Sequence, residues 1–351
     1  MRTVTVKASK IYDVKVEAGL LENAGADLQK LFPAPRKVMV VTDDTVRALW
    51  GDKLIATLKS AGYTVFEFVF PHGEISKNTD TLVGLWEALA KANLTRTDFV
   101  AALGGGVVGD MAGFAAATYL RGISFVQFPT TLLAMVDSSV GGKTGADLAI
   151  GKNLIGAFHQ PSAVFCDTDT LHTLPDSIFA DGCAEVIKYG YINDPELLEI
   201  LKKPFDGDPD GIIARCIADK RDLVEADERD TGARQLLNLG HTAGHAVEAL
   251  SDFTISHGSA VAIGMLLMAK AAVKAGLCEK DVPAHMENML NAYRLPTKCP
   301  FSAEQLAAVA LSDKKRKGGS ITLVLPESLG KSRLHTVSAD TLAAFFAGGL
   351  D

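Results

Sequence analysis

The sequence predicts an α/β fold in two domains, a Rossmann-like parallel-sheet domain over residues 1–174 and a mostly α-helical domain over residues 175–351. Three observations support this prediction. The chain of 351 residues exceeds the size at which a single core stops growing. Strand-like and helix-like segments alternate up to about residue 175, and long helical periodicities dominate the rest. We expect a cleft between the two domains.

Five apolar, β-branched runs predict the strands of the first domain, at residues 37–44, 63–70, 98–106, 124–131 and 163–167. Leucines and alanines predict helices between them, one ending near residue 59, one over 78–93 and one through 115–117. Strands that alternate with helices form a parallel sheet covered on both faces. Ligands of such sheets bind at the carboxyl ends of the strands, so we expect functional loops there.

Four apolar periodicities predict the helices of the second domain, over residues 176–193, 211–228, 234–250 and 258–275. A turn-rich connector, PFDGDPDG, lies at residues 204–211. All four helices, including the segment 211–228, lie after the predicted boundary and are assigned to the second domain.

Composition excludes several classes of protein. Lys and Arg total 35 against 42 Asp and Glu, and the net charge of −7 argues against a nucleic-acid binder. The five cysteines include no C-x-x-C pair, and residues 1–19 contain no apolar signal-peptide core. The longest apolar stretch, Phe99–Leu120, contains Asp110 and five glycines, which disfavours a membrane helix. We therefore expect a cytoplasmic protein that binds neither nucleic acid nor membranes.

Two glycine-rich motifs suit an anionic ligand. GGGVVGD, at Gly104–Asp110, follows a predicted strand and opens a helix, so its backbone N–H groups can bind an anion; a tight turn is the alternative. VDSSVGGKTG is not a P-loop, because Asp137 stands where the first glycine is required. Its Lys143, and Lys152 nearby, are expected in loops, either as ligands of a phosphate or carboxylate or as solvated surface lysines.

The segment 234–250 carries the strongest functional signal. Its polar side chains recur in steps of four, three, four and three, at Arg234, Asn238, His241, His245 and Glu248. On one continuous helix they form a single stripe between apolar residues. Because a buried polar stripe is costly without ligands or partners, the pattern predicts a functional site.

Histidines in this pattern favour a metal site. His241 and His245 lie four residues apart and His257 follows in ISHGSA, so spacing leaves all three open as ligands. A catalytic zinc ion takes three protein ligands, of which one is often a carboxylate. Glu185 is the candidate carboxylate, because Lys188 lies at i+3 on the same helical face among apolar neighbours. A surface ion pair is the alternative for these two residues.

In this order, the motifs resemble the 3-dehydroquinate synthases over nearly the whole chain. The matching stretches are HGEISK, GGGVVGD, RGISFVQFPTTLLAMVDSSVGGKTG, GKNLIGAFHQP, AEVIKYG, ADERDTG, LLNLGHTAGHAVE, SHGSAVAIGM and DKK. The sequence departs from the family pattern at Asp230, where the family often has the longer glutamate.

The resemblance implies a dehydroquinate synthase-like fold, NAD and zinc (or cobalt) as cofactors, and a set of site residues. The implied metal ligands are Glu185, His241 and His257. The implied NAD-binding residues are Asp43, Glu74, Lys77, Gly105, Gly106, Val107, Gly109, Asp110, Thr130, Thr131, Asp137, Lys143, Lys152, Thr170 and Thr173. The implied catalytic and substrate-binding residues are Arg121, Lys143, Lys152, Asn153, Lys188, Lys220, Arg234, Asn238, His245 and Lys314. Arg121 is implied to reach the phosphate of a neighbouring subunit in a homodimer.

The implied reaction converts 3-deoxy-D-arabino-heptulosonate 7-phosphate to 3-dehydroquinate and phosphate, within the shikimate pathway to the aromatic amino acids. Transient oxidation by NAD acidifies the adjacent C–H, phosphate is eliminated, the ketone is reduced again and an aldol step closes the carbocycle. Lysines and an arginine suit a substrate that carries both a phosphate and a carboxylate.

Three alternatives remain at this stage. A related cyclase that makes an inosose or valiolone would tend to lack the carboxylate-binding residues, whereas Lys220, Arg234 and Asn238 are present. A metal-dependent polyol dehydrogenase would release NADH. A zinc-stabilised binding module would be expected to cluster its cysteines, and this sequence does not.

Overall fold

The computed structural model describes residues 1–203, 205, 207–312, 316–317 and 319–350. These residues form two compact units. The first unit comprises Met1–Pro175 and Pro209–Arg229, and the second comprises Asp176–Asp208 and Asp230–Asp351.

The strands and helices are numbered in chain order. The strands are β1 Arg2–Lys7, β2 Ile11–Val16, β3 Lys37–Asp43, β4 Thr64–Phe70, β5 Phe99–Gly104, β6 Ser124–Pro129, β7 Lys143–Leu148, β8 Gly151–Phe158, β9 Val164–Cys166, β10 Arg316–Lys317, β11 Ser320–Ser328 and β12 Lys331–Ser338. The α-helices are α1 Leu20–Asn23, α2 Gly25–Leu31, α3 Asp44–Val46, α4 Asp52–Ser60, α5 Thr79–Lys91, α6 Gly106–Thr118, α7 Asp176–Ile192, α8 Pro195–Ile200, α9 Pro209–Ala226, α10 His241–Leu250, α11 His257–Lys274, α12 Val282–Ala292, α13 Ala303–Ser312 and α14 Leu342–Leu350.

A seven-stranded sheet in the order β1-β2-β9-β6-β5-β3-β4 forms the centre of the first unit. Every strand of this sheet except β1 runs parallel to its neighbours β2, β9, β6, β5, β3 or β4. The five strands predicted from apolar runs all belong to this parallel set. Leu54 and Leu58 of α4 are buried in the core on one face of the sheet, and Leu82 and Leu85 of α5 in the core on the other. The predicted parallel sheet with two covered faces is therefore confirmed.

An N-terminal hairpin extends this sheet and was not predicted as part of it. β1 pairs with β2 in antiparallel register, and β2 pairs in parallel with β9. Val4, Val6, Val14 and Val16 are buried, so the period-two alternation of the first residues buries one face of the hairpin.

The helix α9 lies in the first unit, whereas the sequence pattern assigned it to the second domain. It packs against β1, β2 and the π-helical segment Ala134–Ser138. Glu225 Oε1 accepts the Lys7 N–H at 2.6 Å, and Glu228, just beyond the helix, accepts the Ser9 N–H at 2.9 Å. Helical periodicity reveals an apolar face but not its partner, which explains the wrong assignment.

The segment that carries Lys143 and Lys152 is a two-stranded antiparallel hairpin, β7–β8, and the predicted loop is wrong. Gly145 pairs with Gly156, and a Cβ on Gly145 would lie 2.5 Å from the Ile155 carbonyl oxygen. The two glycines thus allow a close backbone approach, and glycine content alone gave the misleading impression of a loop.

The second unit is mostly helical, as predicted, and also contains the antiparallel sheet β10-β11-β12, which was not predicted. Ile321, Leu323 and Leu325 of β11 share one buried cluster with α10, α11, α13 and α14. Among the described residues, no helix combines the length and apolar character needed to cross a membrane.

The predicted continuous helix over 234–250 is interrupted. A 3₁₀ segment covers Ala233–Asn238, and α10 begins only at His241. Between them Gly240 has φ of +81°, which favours glycine, and a Cβ there would lie 2.7 Å from the Val261 carbonyl oxygen of α11. Arg234 and Asn238 therefore do not lie on one helical stripe with the histidines.

Candidate active site

Three helices of the second unit bring a carboxylate and two imidazoles together. Glu185 lies within α7, while His241 and His257 are the first residues of α10 and α11. Oε1 of Glu185 lies 3.6 Å from Nε2 of His241 and 3.4 Å from Nε2 of His257. These residues come from three separate motifs, and the structure places their donor atoms around one point.

Glycines make this convergence possible. Gly258 follows His257, and a Cβ on it would lie 2.3 Å from the Asp181 carbonyl oxygen of α7. Gly264 of α11 lies against Gly240, where its Cβ would approach the carbonyl oxygen to 2.1 Å. Any larger residue at these positions would push α11 away from α7 and α10 and separate the donors.

The donor set fits a divalent metal. Glu185 is fully buried, and its Oε1 has no hydrogen-bond partner within the part of the chain that the structure describes. The donor atoms of Glu185, His241 and His257 all lie within 4.8 Å of one another. A buried carboxylate oxygen without a hydrogen bond is costly, and a cation facing it removes that cost. Two imidazoles and one carboxylate are a common ligand set for catalytic zinc.

The electrostatics of the site also favour positive charge. Burial lowers the pKa of His257, but the facing carboxylates of Glu185 and Glu248 outweigh it and raise the pKa to about 10. Two carboxylates facing one imidazole therefore favour a positive charge at this point.

A second, overlapping donor group consists of His245, Glu248 and His257, whose donor atoms also lie within 4.8 Å of one another. The His245 ring lies 5.4 Å from the His241 ring, centroid to centroid. Geometry alone thus leaves His245 open as a metal ligand, and the ligand set of Glu185, His241 and His257 stays a prediction.

Two cationic side chains of the second unit are buried, and one of them contacts this carboxylate. Lys188 forms a buried ion pair with Glu185, and Arg234 is only 1% exposed. The surface ion pair considered for Glu185 and Lys188 is therefore wrong, since both side chains are in the interior. Asn238 lies on the same 3₁₀ segment as Arg234 and donates from Nδ2 to the Gln235 carbonyl at 3.1 Å.

The first unit contains a polar cluster that joins three of the matching motifs. Lys77 Nζ lies 2.7 Å from Asp110 Oδ2 and donates to Asn153 Oδ1 at 2.7 Å. Lys152 Nζ lies 3.5 Å from Glu74 Oε1. Burial lowers the pKa of Lys77, but Asp110 and Glu74 outweigh it and raise the pKa. The cluster therefore keeps a charged ammonium in a largely buried position.

Lys220 of α9 forms a second contact in the first unit. Its Nζ donates to the backbone carbonyl of Asp137 at 2.5 Å and forms an ion pair with the Asp137 carboxylate. Asp137 lies in the π-helical segment Ala134–Ser138, a local irregularity of a kind that is frequent at functional sites.

The turn from β5 into α6 has the features of an anion site. Gly105 caps α6, and no side chain of a described residue caps this end. A Cβ on Gly105 would lie 3.2 Å from the Thr131 methyl, and one on Gly106 would lie 3.3 Å from Ser138 Oγ. Backbone N–H groups at the start of this 13-residue helix are thus available to a phosphate group. Val107 and Gly109 follow in the first turn.

Other predicted cofactor residues have visible structural contacts. Asp43 caps α3 by accepting the Val46 N–H at 2.8 Å. Thr131 Oγ1 accepts the Ala134 N–H at 3.2 Å, and Thr170 Oγ1 donates to the Asp167 carbonyl at 2.7 Å. These contacts do not test a role toward NAD.

The remaining predicted site residues differ in burial and in their contacts. Thr173 Oγ1 accepts from Trp50 Nε1 at 3.1 Å, and the buried Thr130 Oγ1 has no hydrogen-bond partner in the described part of the chain. Arg121 is exposed, with φ of +67°, and Lys143 is exposed at the start of β7. Lys314 lies outside the described residues.

Sequence reasoning did not assign a role to two carboxylates next to the metal donors. Glu248 Oε2 lies 3.3 Å from His257 Nδ1, and Asp181 Oδ1 accepts the Ser259 N–H at 3.0 Å at the start of α11. Spacing gave a signal for both, since Glu248 lies at i+3 from His245 and Asp181 lies one turn before Glu185.

Two family profiles cover most of the chain, the 3-dehydroquinate synthase N-terminal profile over residues 67–181 and the C-terminal profile over residues 182–316. A curated 3-dehydroquinate synthase of Streptococcus gordonii is 43% identical over 343 residues, covering 95% of this chain and 96% of the relative. The chain belongs to the 3-dehydroquinate synthase family. Another family member, from Geobacter metallireducens, is 46% identical over 340 residues and 94% of each chain. The resemblance and the synthase activity inferred from the motifs are thus confirmed.

Solved structures confirm the fold. A 2-epi-5-epi-valiolone synthase from Streptomyces hygroscopicus, with NAD⁺ and Zn²⁺ bound, has a TM-score of 0.87 at 26% identity and covers 99% of each chain. A 2-deoxy-scyllo-inosose synthase complexed with carbaglucose-6-phosphate, NAD⁺ and Co²⁺ also gives 0.87, at 24% identity over 99% of this chain and all of the other. A probable glycerol dehydrogenase from Sinorhizobium meliloti gives 0.64 at 15% identity over 96% of each chain. The 3-dehydroquinate synthase family thus shares its fold with other cyclases and, more distantly, with polyol dehydrogenases.

Proposed function

We propose that this chain converts 3-deoxy-D-arabino-heptulosonate 7-phosphate to 3-dehydroquinate and phosphate with zinc held by Glu185, His241 and His257. The convergence of two Nε2 atoms on the buried Oε1 of Glu185, at 3.4 and 3.6 Å, carries this proposal. Identity to curated 3-dehydroquinate synthases is 42–46%, whereas the valiolone synthase is 26% identical. That difference favours the sugar acid as substrate over the substrates of the other cyclases.

NAD is proposed to bind the first unit. Support comes from the glycine turn into α6, which leaves backbone N–H groups for the pyrophosphate, and from the polar cluster of Lys77, Asp110 and Glu74. The valiolone synthase that shares this fold binds NAD⁺ and Zn²⁺. When bound, zinc polarises a substrate hydroxyl and NAD accepts and returns a hydride, so the overall reaction is redox-neutral.

The chain itself is proposed to bind and orient the anionic groups of the substrate. Arg234 and Lys188 are buried cations, and the Arg234 guanidinium and the Lys188 ammonium suit a carboxylate or phosphate. Lys220 is held by Asp137, so its ammonium has a fixed position. His245, beside the metal donors, is proposed to contact the substrate and not the metal, together with Asn238, Lys152, Asn153 and Lys314.

We further propose a homodimer in the cytoplasm, with Arg121 contributing to the neighbouring subunit's site. Arg121 supports this because its side chain is exposed and its backbone has φ of +67° between Leu120, at +51°, and Gly122, at +119°. Three consecutive positive φ angles fix an unusual turn, and such turns persist mainly where the surroundings or a function require them.

Cofactor dependence tests the proposed function. We expect phosphate release and carbocycle formation from the sugar acid only when both NAD and zinc are supplied to metal-free, nucleotide-free protein. Full turnover after chelation of zinc, or in the absence of NAD, would refute the proposed chemistry. Turnover of a sugar phosphate that lacks the carboxylate, with none of the sugar acid, would favour the related cyclases instead.

A further inference from the structure

The two imidazoles of the proposed metal site are each held from both sides. Their Nε2 atoms face Glu185, and their Nδ1 atoms face other acceptors. Nδ1 of His241 lies 3.2 Å from the Leu239 carbonyl, and Nδ1 of His257 lies 3.3 Å from Oε2 of Glu248. When the Nε2 atoms bind a metal, each Nδ1–H can donate to a fixed acceptor.

We propose that Glu248 is a positioning residue of the metal site. Its carboxylate accepts the Nδ1–H of His257, which fixes the tautomer that presents Nε2 to the metal. The negative charge also makes that imidazole a stronger donor to the metal. This inference rests on the metal site of the proposed function and gives a role to a residue of the polar stripe that the implied ligand and substrate sets do not include.

The location of Glu248 supports a positioning role. The side chain is buried, with 8% exposure, in the last turn of α10. Its backbone carbonyl accepts the Phe253 N–H at 2.9 Å and the Ser251 hydroxyl at 3.0 Å, so the end of the helix is anchored. A buried carboxylate with a fixed backbone can orient an imidazole with little loss of conformational entropy.

His257 is the ligand that most needs such a partner. The Nδ1 of His241 meets a backbone carbonyl two residues away, so local structure holds that ring. His257 has 34% side-chain exposure, and among the described residues its Nδ1 contact is with a carboxylate from another helix. Glu248 thus supplies from α10 the acceptor that the backbone supplies for His241.

The test is the Zn²⁺ affinity of the full chain, measured by competition with a chromophoric chelator. Parent protein is compared with Glu248→Gln, which keeps an acceptor without the charge, and with Glu248→Leu, which removes both. We expect one zinc per chain in all three, bound about 10-fold more weakly by the Gln variant and up to about 100-fold more weakly by the Leu variant. Glu327→Gln, which removes a carboxylate on β11 in the same unit, is the matched control and should bind as the parent does.

Circular dichroism of the metal-free proteins shows whether a variant has folded, and the milder Gln variant keeps the test informative if the Leu variant does not. Parent-like affinity in Glu248→Gln and Glu248→Leu, when the parent binds zinc, would overturn this inference alone. A parent that binds no zinc would overturn the proposed metal site and this inference with it. Complete loss of zinc in Glu248→Gln but not in Glu185→Gln would also overturn it, because Glu248 would then be a ligand.

Discussion

At the scale of single residues, His257 and Arg234 are the two proposed site residues whose surroundings give the sharpest predictions. His257 faces Glu185 and Glu248, two carboxylates that favour a cation at its position. Arg234 carries a permanent charge in a position with only 1% exposure. A buried guanidinium needs anionic partners, and a substrate carboxylate is suited to bind it in a bidentate manner.

His257→Ala should abolish stoichiometric zinc binding, because it removes one of three donors. Activity should fall by more than about 100-fold, since a catalytic metal stabilises developing charge by several kcal/mol. Metal content by mass spectrometry and phosphate release measure the two effects. His335→Ala, on β12, is the matched control and should retain both. A variant at position 257 that keeps one zinc per chain would refute the ligand assignment.

Arg234→Ala should leave the zinc content intact while weakening the binding of the sugar acid. Loss of a charge-assisted hydrogen bond costs about 1.5–3 kcal/mol, so kcat/KM should fall by roughly 10- to 150-fold. Steady-state kinetics with metal analysis on the same sample give the answer. Arg333→Ala, on the surface strand β12, provides a comparison with little expected change. Unchanged kinetics in the position-234 variant would contradict its role toward the carboxylate.

At the scale of helices and strands, local sequence predicted the central strands and the longest helices, but not the N-terminal and C-terminal strands or what the elements pack against. The strand runs and the leucine periodicities identified the sheet and the helices on both its faces. The same periodicity could not reveal that α9 packs on the N-terminal hairpin or that Gly240 breaks the predicted helix over 234–250. Both features depend on long-range contacts, which periodicity does not encode.

The start of α11 is the element on which the metal site most depends. Gly258→Ala places a Cβ about 2.3 Å from the Asp181 carbonyl oxygen, so α11 must shift. We expect a loss of about 1–3 kcal/mol in the free energy of unfolding, together with weaker zinc binding. Gly348→Ala in α14, where the added Cβ would lie 3.6 Å from Lys274 Cδ, is the control and should be neutral or slightly stabilising. Equal stability and zinc affinity in both variants would contradict the packing argument.

Asp98 joins the start of β5 to β3 and gives a pH-dependent contribution to stability. Its carboxylate accepts the Lys37 N–H at 2.8 Å and the Thr95 N–H at 2.6 Å. Burial alone would raise its pKa, but these hydrogen bonds outweigh burial and lower the pKa below its usual value. The stabilisation is therefore complete above the unfolded-state pKa of about 3.9 and is lost as pH falls through the lower folded-state pKa.

Asp98→Asn should cost about 1–3 kcal/mol at pH 7, because one buried acceptor becomes a donor. Denaturant unfolding of parent and variant between pH 7 and pH 3 measures the difference, which should narrow toward the acid end. A constant difference across this range would show that the Asp98 charge contributes nothing to stability.

At the scale of the whole molecule, the sequence could predict the class of chemistry but not the geometry of the site. Histidines at i, i+4 and a carboxylate among apolar residues indicated a metal site, but spacing could not choose among His241, His245 and His257. In the folded chain, the donor atoms of each of the two possible ligand sets lie within 4.8 Å of one another. The orientation of His257 by Glu248 depends on where α10 and α11 pack, and no local pattern determines that.

The proposed reaction of this chain is a redox-neutral cyclisation and not a net oxidation. The direct measurement follows phosphate, 3-dehydroquinate and absorbance at 340 nm in one reaction of the zinc-loaded protein with the sugar acid and NAD. We expect phosphate and 3-dehydroquinate in equal amounts over many turnovers, without accumulation of NADH, because NAD is regenerated in each cycle. NADH that accumulates in proportion to substrate consumed, without release of phosphate, would contradict the claim and indicate a polyol dehydrogenase.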